Sequence, residues 1–121
     1  METRRSSTEE LVFRTARLDV AMQDAGFHPV FSDPEASRDF GYRARYVRGK
    51  SSLFPLLHAS LEYYLASKAY SLKISAGGDD DSRVYTCLVK NYRGDLKELV
   101  ERYFETVRRG VPLKIEEKPG L

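Results

Sequence analysis

Residues 40–48, FGYRARYVR, alternate with a period of two. Phe40, Tyr42, Ala44, Tyr46 and Arg48 fall on one side, and Gly41, Arg43, Arg45 and Val47 on the other. The pattern predicts a strand, broken at Gly49, and it constrains the rest of the chain. One side is aromatic and requires cover; the other presents arginines to water or to an anion. YSLKISA, residues 70–76, repeats the arrangement, with Tyr70, Leu72, Ile74 and Ala76 opposite Lys73. GGDDDS (77–82) reads as a hairpin loop and RVYTCLVKN (83–91) as the returning strand. Residues 27–31 and the tail PLKIEEKPGL add short extended pieces, and SDPEASRD (32–39) is a loop by its Ser, Asp and Pro content.

Three helices are expected beside these strands. S-T-E-E at 7–10 is a capping box ahead of Leu11, Thr15, Leu18, Met22 and Ala25, predicting a helix over 8–25 that stops at Gly26. Ser51 or Ser52 is placed to cap a second helix, with Pro55 in its first turn. Its stripe of Leu53, Leu56, Leu57, Leu61, Tyr64 and Leu65 runs on to about residue 68. On that helix Tyr63 and Tyr64 would point about 100° apart. Asp95 and Glu98 open a third, whose stripe of Leu96, Leu99, Val100, Tyr103, Phe104 and Val107 ends at Gly110. The expected fold is one α+β domain over 1–121, a small antiparallel or mixed sheet of 3–5 strands packed on about three helices. Residues 1–6 and 117–121 are expected to be flexible ends.

The net charge of +2 hides a segregation. Residues 40–76 hold Arg43, Arg45, Arg48, Lys50, Lys68 and Lys73 against Glu62 alone, giving +5, while the remainder has 14 bases and 17 acids, giving −3. A surface that needs only solubility mixes both signs. Six cations facing one acid therefore point to an anionic partner, and the aromatic residues interleaved with them point to unpaired bases, because cations track a sugar–phosphate backbone while tyrosines stack. Arg43, Arg45, Arg48, Lys50 and Lys73 are the expected phosphate contacts. Tyr42, Tyr46 and Tyr92 are the expected stacking residues, with Arg93 beside Tyr92 in the turn N-Y-R-G (91–94). Alternation keeps Tyr42 and Tyr46 off the side that bears Arg43 and Arg45, so one set has to act from a rim or from a cleft between subunits.

Other chemistries find little support. The lone Cys87 excludes an internal disulfide and reads as core filling, and with only His28 and His58 beside it no zinc cluster assembles. His58, within LLHAS, reads as a buried histidine. Asp79, Asp80 and Asp81 are consecutive in a hairpin tip and read as a solvated turn rather than a magnesium site. No phosphate loop and no G-x-S-x-G nucleophile motif is present, so neither a catalytic residue nor a cofactor is assigned. No apolar run approaches the roughly 20 residues of a membrane span. METRRSSTEE lacks the apolar stretch of a signal peptide, and a cytoplasmic protein is expected. One Asn, one Gln and one Cys against 13 Arg and 7 Lys suit a thermophile.

An N-terminal helix, a basic aromatic strand, a helix, a hairpin and a closing helix in about 120 residues resemble the N-terminal DNA-binding domain of the ThermoDBP-type single-stranded-DNA-binding proteins of hyperthermophilic archaea, especially the short ThermoDBP-related members. The likeness spans most of the chain and is one of order and composition, so no residue role is carried over. It implies a helix-backed sheet that binds single-stranded DNA as a homo-oligomer, dimer or tetramer, assembled through faces of the domain itself. The expected function is thus non-catalytic binding of single-stranded nucleic acid. The alternative is a protein-interaction module or accessory subunit whose basic strand docks onto an acidic partner.

Overall fold

A computed structural model describes residues 7–33, 41–76 and 83–117. The elements run α1 (Ser7–Asp24), β1 (His28–Asp33), β2 (Gly41–Arg48), β3 (Leu57–Tyr64), β4 (Ala69–Ala76), a 3-10 turn (Arg83–Tyr85), β5 (Cys87–Tyr92), α2 (Leu96–Arg108) and β6 (Leu113–Glu116). The strands form one six-stranded sheet in the order β1-β2-β3-β4-β5-β6. The first five pair antiparallel as a meander, and α2 is the crossover that returns the chain to lay β6 parallel to β5. The GGDDDS loop, the Asp79–Asp81 run, Phe40, the segments 1–6 and 118–121, and the side chains of Ser7 and Glu10 lie outside the described residues.

The fold corrects the expectation of 3–5 strands on about three helices: the sheet is mixed, has six strands, and is backed by two helices. The difference lies in residues 51–68. Ser51 does accept the amide of Phe54 on its Oγ at 3.1 Å, the contact of a helix N-cap, and its own amide donates to the Phe54 carbonyl at 2.9 Å. Pro55 follows, and it has no N–H to give the Ser51 carbonyl as the first helical hydrogen bond. The turn therefore ends in a loop, and LHASLEYY leaves it as β3, with Leu57, Ala59, Leu61 and Tyr63 buried on alternate positions. Hydrogen bonding to β2 on one side and β4 on the other outweighs the helix propensity of its Leu, Ala and Glu. The helix counted in the family resemblance is this strand.

Both helices cover one face. A single core joins Met22 of α1, Leu99 and Tyr103 of α2, and the inward residues of the strands, among them Tyr46, Leu61, Leu72, Ile74 and Val89. Fully burying a side chain of the Leu or Ile size contributes roughly 1.5–3 kcal/mol. Each helix is ended in the same way. Gly26 (φ 91) donates to the Gln23 carbonyl and Phe27 to that of Met22, while Gly110 (φ 77) donates to Val107 and Val111 to Thr106. These are Schellman motifs, which need the left-handed residue that glycine supplies without strain. At α2 the Asp95 carboxylate caps the helix by accepting the Lys97 amide at 3.2 Å.

Candidate nucleic-acid interface

Among the described residues, no helix covers the second face of the sheet. The pairing shifts register between Pro29 and Phe31 of β1 and between Tyr70 and Leu72 of β4, and in the middle of the sheet the outward residues line up in rows across the strands. The central row reads Phe31, Arg45, Ser60, Lys73, Leu88 and Lys114, one residue from each strand. Neighbouring strands lie about 4.8 Å apart, so the three cations of this row recur at about 9.5 Å intervals. The row contains no acid, its cations are exposed, and none of them is in an ion pair among the described residues. On one side of it stand Arg43 and Glu62, paired in register with Nε 3.7 Å from Oε1, and on the other His28, Val47, His58 and Ser75. Lys90 faces this side too, opposite Glu116.

Phe31 reaches the row through an irregularity. The pairing of β1 with β2 slips between Pro29 and Phe31, so that Phe31 rather than Val30 stands opposite Arg45. Since side chains alternate, a one-residue bulge moves the ring from the core side to the open side. Proline, having no N–H for the ladder, marks the place of the bulge. Phe31 is 47% exposed, an aromatic surface at the end of a cationic row.

The nine residues singled out in the sequence divide accordingly. Arg43, Arg45 and Lys73 share the open face. Tyr42 and Tyr46 are 6% and 1% exposed and belong to the core, which removes them as stacking residues. Burial raises both phenols above their usual range, and the Tyr46 hydroxyl donates to Asp19 Oδ1 of α1 at 2.7 Å, fastening that helix to the sheet. Arg48 lies on the same inward side. Its Nε donates to the Ala25 carbonyl at 3.1 Å, and its guanidinium carbon sits 4.8 Å from the Phe54 ring centre and 5.4 Å from that of Phe104. Arg48 is a staple across the end of α1, and it has no place among the phosphate contacts. Lys50 is exposed in the loop after β2, off the sheet. Tyr92 is half-buried, edge-on to Tyr70 at 5.7 Å and in contact with Gly94, while Arg93 Nε donates to the Ser67 carbonyl in the β3–β4 turn. Both belong to the turn end of the sheet rather than to the central row.

Besides Leu88, three members of the row escaped the sequence reading: Phe31, Ser60 and Lys114. Ser60 was hidden by the helix expected over β3, Phe31 by the bulge, and Lys114 by the parallel pairing of β6, which no local pattern discloses. For Ser60 a signal existed in the strict alternation of 57–64. His58, expected to be buried, is exposed on the open face.

Cys87 is fully buried, and burial pushes its thiol up to about 12. The same cause raises the phenols of Tyr70 and Tyr103, whose hydroxyls donate to the carbonyls of Gly94 and Tyr85. The thiol ionises at 9.0 when not perturbed, so between that value and about 12 the folded chain holds a proton the unfolded chain has released. Stability from this source is complete below pH 9 and lost as pH rises towards 12, at a rate of about 1.4 kcal/mol per pH unit. Urea midpoints are expected to fall between pH 8 and 10.5, by the equivalent of roughly 2 kcal/mol from Cys87. Cys87→Ala should flatten the first part of that fall; an identical fall in the variant would exclude the thiol as its source.

Among the described residues, no group of three or more His, Cys, Asp or Glu gathers to hold a metal ion, and no helix is long and apolar enough to cross a membrane. No protein-family model, no curated protein and no solved structure matches the chain.

Proposed function

We propose that this protein binds single-stranded nucleic acid, without turnover, on the open face of its sheet and in the cytoplasm. The observation that carries the proposal is the acid-free row from Phe31 to Lys114, with a cation on every second strand and an exposed ring at one end. Cations at regular intervals follow a phosphate backbone, and a ring exposed beside them takes an unpaired base, worth roughly 1–3 kcal/mol per base whatever the sequence. A duplex keeps its bases stacked inside and makes no use of Phe31. DNA is the strand type, and a homo-oligomer the working form, that the family resemblance implies.

Fluorescence anisotropy with labelled single-stranded DNA, single-stranded RNA and duplex, between 50 and 200 mM salt, tests the proposal. Tighter binding of the single strand is expected, with log K falling against log salt at a slope of about −0.7 per phosphate contact, or about −2 for the three cations of the row. If no oligonucleotide binds at 50 mM salt, the proposal fails and the row is left to an acidic protein partner.

A further inference from the structure

The helical side of the sheet holds a second cationic concavity, unrelated to the open face. It lies between α1, the β3–β4 turn and the start of α2, with a volume of about 590 Å³. Arg14 and Arg17 enter it from α1, Lys68 from the turn, and Arg93 and Lys97 from around the α2 start. Two carboxylates, Asp24 and Asp95, line the groove with them. Asp95 is already engaged as the α2 cap. The far wall is held in place by the Arg93 hydrogen bond to the Ser67 carbonyl. Between the charges the lining is apolar: Leu18 and Ala21 of α1, Leu96 of α2, and the edge of Tyr63 from β3.

Cations gathered around one concavity repel one another, and low-dielectric walls focus their field on whatever enters. Folding gains nothing from bringing Arg17 and Lys97 to this rim, because both are exposed and neither is in an ion pair among the described residues. An apolar floor under a cationic rim suits a molecule with a flat, weakly polar part and a multiply charged tail, and the volume lies within the range of small-ligand sites. We propose that this groove binds the nucleotide class of ligand, with the base against Leu18, Ala21 and Leu96 and the phosphates between Arg17, Arg93 and Lys97. That chemistry has two sources, a free nucleoside triphosphate and the 5′-phosphorylated end of a strand.

A fluorescent ATP analogue carrying an N-methylanthraniloyl group on its ribose, titrated into the full chain at 50 mM salt, is the direct probe. Saturable binding is expected, competed by ATP and more weakly by pyrophosphate, and not by adenosine. Arg17→Glu with Lys97→Glu should weaken it at least tenfold, whereas alanine at Arg45, Lys73 and Lys114 should leave it unchanged. Far-UV circular dichroism and the urea midpoint confirm that the reversed variant is folded; Arg17→Gln with Lys97→Gln takes its place if it is not. Amide chemical shifts give a readout on the unaltered chain, with Leu18, Ala21 and Lys97 expected to move. Displacement by a 5′-phosphorylated oligonucleotide but not by its 5′-hydroxyl counterpart assigns the site to strand ends, and displacement by neither assigns it to the free nucleotide. Absence of saturation at 1 mM, undiminished affinity in the reversed variant, or shifts confined to the Arg45 row would each overturn the inference. None of these outcomes touches strand binding by the open face, which is measured separately.

Discussion

Replacing Arg45, Lys73 and Lys114 together by alanine is expected to abolish most of the salt dependence of single-strand binding. With three phosphate contacts at about −0.7 each, affinity falls roughly twentyfold between 50 and 200 mM salt; without them that decline should nearly vanish, with most of the affinity lost at 50 mM. Arg43→Ala should matter far less, because its guanidinium already lies beside Glu62 in the neighbouring row. Phe31→Ala separates the two kinds of contact: it should weaken binding by the worth of a stacked base, roughly 1–3 kcal/mol, and leave the slope intact. The three cations are exposed and outside the core, so the triple variant should fold like the parent. A triple variant with the parental slope would remove the open face from the interface.

Arg48→Ala should give the opposite phenotype, a large loss of stability with no change in that slope. The guanidinium touches two aromatic rings, at about 0.5–2 kcal/mol each, and donates to the carbonyl of Ala25 at the end of α1. Its Nη1 is buried without a hydrogen-bond partner, a cost that offsets part of the gain. The net destabilisation expected is about 2–4 kcal/mol, read as a drop in the urea midpoint of roughly 1 M or more. Arg48→Lys should recover little, because an ammonium cannot lie flat against Phe54 and Phe104 while reaching the same carbonyl. Unchanged stability accompanied by a flatter salt slope would return Arg48 to the phosphate contacts and contradict its position in the fold.

Much of this architecture was legible along the chain. The stripes of α1 and α2, the capping signal of Asp95, the alternation of β2 and β4, and the closing edge strand all correspond to observed elements. The exception, β3, shows why reading by period fails where it does. Leu57, Leu61 and Leu65 are four residues apart, and that spacing satisfies a strand's period of two and nearly satisfies a helix's 3.6. Surrounded by good helix formers and preceded by a serine placed to cap, the four-residue repeat looked helical, although His58, Ser60, Glu62 and Tyr64 complete a strict alternation.

For the candidate site, sidedness is already present in the order of residues along each strand. Alternation within β2 and β4 separates Arg43, Arg45 and Lys73 from Tyr42, Tyr46, Leu72 and Ile74, whatever the strands pair with, because successive side chains on a strand point to opposite faces. Alignment comes from the pairing of strands distant in the chain. That Arg45, Lys73 and Lys114 fall in one row follows from the register of four strand pairings, one of them parallel and made across a helix. That Phe31 joins them follows from a bulge, and that Arg48, set on the inward side by alternation, is held against the end of α1 follows from rings 6 and 56 residues further along the chain. Sidedness is a property of neighbouring residues, whereas register and distant contacts are settled by which packing buries the most apolar surface with every backbone group paired, a competition held over the whole chain at once.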